Sequence, residues 1–343
     1  MWNPLLRSAW FPRLAPAVAF CRFLTRRPPA RARMNASDSP SHRGRLIRTV
    51  AAIAIVGGGT LRCADSPTAP LSSAEFVAAD HDGRDGAGPG LALVDIQGQK
   101  YQRVGGPAGD PVWLPDGERV AFWRGEDVWI ADLKSGTEHA LIPPGGPLVH
   151  ERSPQASRDG RWLYVMGCAV DAACDYELWR VTVTGADAGQ VAEKVPVVPP
   201  PGNTAIIIRV QDVGRDGRLL VEYFTQSLDT GVERVLLAAL DPATGALTDL
   251  PVYGESARWS PDGKQIAYVS NGSFYIAPTD GGAPREIRPQ RLTAYDRGLS
   301  WSPDGRFILV HAIGGMHLID VQQSTATPLT VAGSLYEPAW RPR

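Results

Sequence analysis

From residue 72 onward, apolar and polar positions alternate in short runs that are separated by turn-forming residues. Gln265–Ser270 (QIAYVS) and Phe307–His311 (FILVH) are typical of these runs, which are rich in aromatic and β-branched side chains. Alternation over such short lengths, bounded by Gly, Pro and Asp, is typical of β-strands with one face in a core. The pattern therefore predicts an all-β chain.

The turns between the runs repeat along the chain. The pentapeptide WSPDG begins at Trp259 and again at Trp301, and WLPDG begins at Trp113. Two weaker copies keep the Asp-Gly turn, and a last copy starts at Trp340, so that successive copies are 43, 57, 46, 42 and 39 residues apart. This period matches one four-stranded propeller blade. Pro presets φ, Asp bonds its own backbone and Gly tolerates positive φ, so the motif predicts turns and no chemistry.

The two ends of the repeat region complete one another. A first strand at Pro338–Arg341 has no second, third or fourth strand after it, whereas the strands at Ala74–Ala78, Leu91–Val94 and Tyr101–Val104 have no first strand. Together they predict a six-bladed β-propeller of four-stranded antiparallel blades over residues 72–343, closed by a blade shared between the N- and C-terminal strands. Such closure removes open sheet edges.

The repeat resembles that of TolB-like (WD40-like) propellers, in which an aromatic residue is followed by Ser-Pro-Asp-Gly-Lys and a strand of the type IAYVS. The resemblance covers about four fifths of the chain and implies the propeller fold. TolB itself carries an N-terminal α/β domain with no counterpart here. The resemblance therefore does not imply TolB's own partners.

Residues 1–62 predict a basic leader. They contain eleven Arg and a single acid, Asp38, so the rest of the chain is acidic although the overall net charge is −1. Within residues 43–62, basic residues precede the uncharged run Thr49–Leu61, which is the order found in secretory signals and is too short for a membrane span. Cys63 begins a Pro- and Ser-containing tether (63–71) and resembles the acylated Cys of a bacterial lipoprotein, but Arg62 departs from the small residue expected before it. We expect an exported protein that is periplasmic or lipid-anchored through Cys63; the alternative is an ordinary thiol.

Two further cysteines, Cys168 and Cys174, lie where the second strand of a blade turns towards the third. Six residues apart across a hairpin loop, they can approach disulfide distance in an exported protein. A metal pair is the alternative, but no His or further Cys lies in the same loop. The spacing predicts a structural disulfide.

Loops between second and third strands share one mouth of a propeller with the connectors that enter the first strands, and such loops carry recognition. The connectors carry an acid just ahead of each first strand, and a ring of these carboxylates would attract cations or a basic partner. The alternative is that each acid caps a neighbouring loop or pairs with an adjacent Arg. The six candidate binding residues are Asp110, Glu151, Asp212, Glu255, Asp296 and Glu337.

Catalytic and cofactor motifs are not found in the sequence. We therefore expect a non-enzymatic, monomeric propeller without a cofactor, which binds a protein or cell-envelope component through its loop-rich face; an acidic body argues against nucleic acid. The alternative is a metal-dependent enzyme, or a propeller that binds a small ligand such as a carbohydrate, with its site at the channel mouth. Calcium at residues 80–86 (DHDGRDG) is a further alternative, although Arg84 interrupts the ligand pattern.

Overall fold

The computed structural model describes residues 75–342, except residues 81–88, 98–99, 171–173, 289–291, 293 and 330–334. The described residues belong to a compact unit that spans Leu61–Arg343. The predicted leader and tether, with Cys63, lie outside the described residues, and so does most of the DHDGRDG run.

The described strands form six four-stranded antiparallel sheets. The first three strands of the chain are β1 (Phe76–Asp80), β2 (Gly90–Val94) and β3 (Lys100–Gly105). Blade 1 consists of β4 (Gly109–Trp113), β5 (Arg119–Arg124), β6 (Asp127–Asp132) and β7 (Thr137–Ala140). Blade 2 consists of β8 (Leu148–Ala156), β9 (Trp162–Ala169), β10 (Glu177–Thr182) and β11 (Ala192–Lys194).

The remaining blades continue this order. Blade 3 consists of β12 (Ile206–Val213), β13 (Leu219–Gln226), β14 (Glu233–Leu240) and β15 (Leu247–Asp249). Blade 4 consists of β16 (Glu255–Trp259), β17 (Gln265–Ser270), β18 (Ser273–Pro278) and β19 (Arg285–Ile287). Blade 5 consists of β20 (Ala294–Trp301), β21 (Phe307–Ala312), β22 (Gly315–Asp320) and β23 (Thr325–Pro328). Blade 6 joins β24 (Leu335–Trp340) to β1, β2 and β3.

Blade 6 closes the ring as the sequence predicts. In the pairing of β24 with β1, Trp340 lies opposite Phe76 and Ala339 lies opposite Val77. The six first strands then contact one another in sequence around a central channel, with β24 between β20 and β4. The prediction of a six-bladed all-β propeller is confirmed.

The core is divided into six clusters, one between each pair of neighbouring blades. Between blades 6 and 1, for example, Leu91 and Leu93 of β2 pack against Phe122 of β5, and all three are at most 1% exposed. A sheet in a propeller buries both faces, which is why successive residues of a strand such as β2 are all buried. Burial of this kind provides the main favourable contribution to the stability of the ring.

The WSPDG motif forms the turn between the first and second strands. The Ser260 hydroxyl donates to Asp262 Oδ1 at 2.6 Å and accepts the backbone N–H of Gln265 at 2.9 Å. Gly263 adopts a φ of 74°, which favours glycine. The Ser260 hydroxyl, with the Lys264 amide, holds the pKa of Asp262 below its usual value. The polar side chains of the motif therefore form hydrogen bonds within their own turn, as predicted.

Candidate functional site

The two mouths of the channel differ in the loops that surround them. The turns between first and second strands lie at one mouth, which we call the turn face. The loops between second and third strands and the connectors into the first strands lie at the other, which we call the loop face. Alternate antiparallel connections lie at opposite ends of a sheet, so every blade presents the same two ends.

Each first strand contains a β-bulge, at which its pairing with the second strand shifts register. In five blades the residue three positions before the motif adopts a positive φ. These residues are Asp110 (48°), Ser153 (52°), Ser256 (54°), Gly298 (85°) and Glu337 (50°). All five line the narrow middle of the channel, so the bulges determine which side chains face it.

Side chains of one blade satisfy backbone N–H groups of the next. The Asp110 amide donates to Glu337 Oε2 at 2.8 Å, and the Trp259 amide donates to Asp212 Oδ2 at 2.8 Å. Ser256 and Ser300 accept the amides of Gly298 and Trp340 in the same way, at 3.0 and 2.9 Å. These hydrogen bonds satisfy backbone N–H groups of the first strands, which lie at the inner edge of each sheet and have no partner within it.

The six candidate acids do not occupy equivalent positions. Asp110 and Glu337 meet in the channel, whereas Asp212 lies towards the turn face, where burial raises its pKa. Glu151 is 2% exposed, and burial raises its pKa to about 7. Glu255 is exposed, and the side chain of Asp296 lies outside the described residues. The structure thus brings two of the six together, and their role in binding stays a prediction.

The loop face carries most of the exposed apolar surface of the described residues. Apart from Val198, which pairs with Ala246 beside the turn between β14 and β15, the most exposed large apolar side chains lie at the loop-face end of a strand or in a loop at that end. They are Trp123, Val149, Val170, Tyr176, Val198, Ile206, Ile208, Leu228, Val232, Val235, Tyr253 and Ile313. Five of these belong to blade 3, whose first three strands are each eight residues long.

Blade 3 presents its five residues as a ridge, which we define as Ile206, Ile208, Leu228, Val232 and Val235. Ile206 pairs with Phe224, and Phe224 pairs with Val235, so these three side chains lie on one face of three adjacent strands. Leu228, in the loop after β13, is 67% exposed. The sequence predicts that loops of this kind lie on the recognition face, but it does not single out the apolar residues of this one.

Blades 1 and 2 form a cleft on the same face. The cleft contains a first cavity with a volume of about 340 Å³, and Trp123, 40% exposed, lines both it and a second cavity of about 460 Å³ between blades 6 and 1. In the first cavity the Arg152 guanidinium lies 3.6 Å from the ring centre of Tyr176, and His150 Nδ1 lies 3.0 Å from Glu126 Oε2. The cleft combines exposed aromatic rings with charged groups at its rim.

The disulfide lies beside this cleft. Cys168 and Cys174 are joined, with their Cα atoms 5.0 Å apart, as their spacing predicts. Cys174 contributes to the wall of the smaller cavity two residues before Tyr176. The bond therefore anchors the loop that carries Tyr176 to the end of β9.

The turn face opens into a funnel-shaped cavity of about 390 Å³. Trp113, Trp259, Trp301 and Trp340 contribute to its wall, and so do six prolines. The indole N–H groups of Trp113 and Trp301 donate to main-chain oxygens of the preceding blade, at 2.9 and 3.2 Å. The motif predicts only turns at these positions and does not point to the three arginines that also line the cavity, Arg158, Arg258 and Arg341.

In the described part of the chain, no group of three or more His, Cys, Asp or Glu side chains is placed to hold an ion. A search of the same residues finds no helix of the length and apolarity that crossing a membrane requires. The calcium alternative concerns residues that are mostly outside this part.

Solved structures share this architecture. TolB from Acinetobacter baumannii superposes with a TM-score of 0.57 at 19% identity, over 78% of this chain and 67% of that chain. The fold is that of a TolB-like propeller. The resemblance seen in the repeat is confirmed at the level of fold, and at this identity it says nothing about partners.

Other comparisons add little about activity. The uncharacterized protein Atu1656 of Agrobacterium fabrum is 26% identical over 171 residues, and this TolB-like propeller spans about half of that relative's length. An oligogalacturonate lyase from Vibrio parahaemolyticus superposes over 72% of this chain and 91% of its own at 11% identity, but its TM-score of 0.42 supports no conclusion. No protein-family model matches the chain.

Proposed function

We propose that this TolB-like propeller is an exported, non-enzymatic binding protein that holds a protein of the cell envelope on its loop face. The observation that carries the proposal is the concentration of exposed large apolar side chains on that face. Contiguous apolar surface on a soluble protein marks interaction sites.

The residue types on this face suit a protein partner. Trp, Tyr and Arg dominate interaction hot spots, and the cleft offers Trp123, Tyr176 and Arg152 together. The ridge of blade 3 adds aliphatic area beside it. The backbone under both is rigid, because every strand is held in a closed ring, so little ordering entropy is lost on binding.

Export is supported by two features. The Cys168–Cys174 disulfide is of the kind that persists in oxidising compartments. The basic leader with its uncharged run has the order of a secretory signal. Acylation of Cys63 is part of the same proposal, and membrane fractionation of a Cys63→Ser variant tests it.

Substitution of Leu228 by Asp should strongly reduce partner capture. A carboxylate at the tip of the ridge places an unpaired charge in an apolar contact, and we expect at least about a tenfold loss of captured partner. The measurement is affinity capture from envelope extracts with the full chain as bait, quantified by mass spectrometry.

Ala243→Asp is the matched control, because Ala243 lies in an exposed turn of the same blade at the opposite face. Both variants should melt like the parent protein. If Leu228→Asp captures the same proteins in the same amounts as Ala243→Asp, the loop face is not the binding surface.

A further inference from the structure

The funnel on the turn face has the properties of a small-ligand site. Its volume of about 390 Å³ lies within the range of small-molecule pockets, and its lining combines Trp and Pro rings with charged and other polar side chains. Trp and Pro side chains are ten of the twenty residues that line it. Because the WSPDG turns of several blades meet there, the wall is rigid.

The charges of the funnel are mainly positive. Arg158, Arg258 and Arg341 line it, and Asp212 is its only acid among the described residues. Both oxygens of Asp212 already accept backbone N–H groups, Oδ1 from Val213 and Oδ2 from Trp259, each at 2.8 Å. A positive cavity on an otherwise acidic body concentrates anions.

Arg258 is the polar group in the funnel that can still donate hydrogen bonds to a ligand. Its Nη1 donates to the Ala257 carbonyl at 2.9 Å and to Gln211 Oε1 at 3.5 Å. Within the described residues, its Nε and Nη2 have no acceptor, and no carboxylate forms an ion pair with it. Burial lowers the pKa of Arg258, with Asp212 and Asp110 opposing the shift, yet guanidinium groups stay charged in proteins. The Arg258 side chain is half-buried where the funnel meets the channel, so a carboxylate in the funnel can reach these N–H groups and accept charge-assisted hydrogen bonds from them.

We propose that the funnel binds a small organic carboxylate with an apolar ring. The carboxylate accepts hydrogen bonds from Arg258, with Arg158 at the rim adding positive charge, and the ring lies against the Trp and Pro side chains. Arg258 also lines the narrow middle of the channel, so the carboxylate would close the channel from the turn face. This site and the partner surface on the loop face are at opposite mouths, and neither proposal depends on the other.

The test uses tryptophan fluorescence of the full chain, since four Trp side chains line the funnel. The probes are 3-phenylpropionate and its neutral isostere 3-phenylpropionamide. We expect the acid to change the fluorescence and to bind at least about ten times more tightly than the amide, because hydrogen bonds between charged groups are about twice as strong as neutral ones. Equal binding of acid and amide, or no response to about 10 mM acid, overturns the proposal.

Two variants locate the site. Arg258→Met should remove the preference for the acid, and Arg158→Met, at an exposed position, should weaken acid binding severalfold without affecting folding. Arg234→Met is the matched control, because Arg234 is exposed on β14 away from the funnel, and it should bind like the parent protein. If Arg258→Met does not fold, Arg158→Met alone decides, and unchanged acid binding in that variant contradicts the assignment.

Discussion

A chain that ends at Gly333 should not form a cooperatively folded propeller. It lacks β24, so β1 loses its inner neighbour, and Phe76 and Ala78, both fully buried, become exposed at an open sheet edge. Blade 1 also loses the Glu337 acceptor for its Asp110 amide. Together the lost pairing and burial amount to on the order of 5 kcal/mol or more, which is comparable with the whole stability of a domain. Thermal unfolding followed by circular dichroism measures the effect.

A chain that ends at Arg341 serves as the control, because it keeps β24 and should melt like the full protein. Addition of a synthetic peptide of residues 335–343 should restore a cooperative transition to the chain that ends at Gly333. If that truncated chain melts within about 5 °C of the full protein, a shift corresponding to only ~1–2 kcal/mol, closure by the shared blade contributes little to stability.

Glu151→Gln should stabilise the protein by about 3 kcal/mol at pH 8 but by less than about 1 kcal/mol at pH 5. Burial, with the nearby Asp127 adding to it, raises the pKa of Glu151 from 4.5 to about 7, whereas the Val128 amide and His150 oppose the shift. The folded state therefore binds this proton more tightly than the unfolded state, and stability falls as pH rises from about 4.5 to 7. At 1.36 kcal/mol for each pKa unit, the difference is about 3 kcal/mol above pH 7.

Urea unfolding at pH 5 and pH 8 measures this difference for the parent protein and the variant. Glu118→Gln is the control, because Glu118 is exposed in a turn, and it should change stability by less than about 0.5 kcal/mol at either pH. A Glu151→Gln protein whose stability relative to the parent is the same at both pH values would show that Glu151 is not held protonated by the fold.

The sequence predicts the blades well because each strand and turn is determined by residues that are close together in the chain. The run Gln265–Ser270 is β17 as predicted, since its alternation and its flanking turns agree. The shared blade also follows from counting strands. The strand at the C-terminus is predicted less well. The sequence predicts Pro338–Arg341, but β24 begins at Leu335. A bulge at Glu337 and Pro338 interrupts the alternation of apolar and polar residues from which a strand is recognised.

The candidate site is less predictable because the bulges decide it. One inserted residue reverses the direction in which side chains point, so acids at similar distances from the motif end in different places. Glu337 reaches the channel and accepts a backbone amide, whereas Glu151 is buried at the start of blade 2. Arg258 is distinctive only after folding, when it lies where the funnel meets the channel. The spacing of residues along a single sequence does not show which side chains reach the channel.

Site-specific photo-crosslinking in the cell envelope tests the proposed binding face most directly. A photoreactive residue placed at Glu126, on the rim of the cleft where the side chain is 76% exposed, should form a covalent adduct with one envelope protein. The same residue placed at Glu118, in the same blade on the turn face, should not form that adduct. An adduct with the same protein from Glu118 but not from Glu126 would contradict recognition by the loop face.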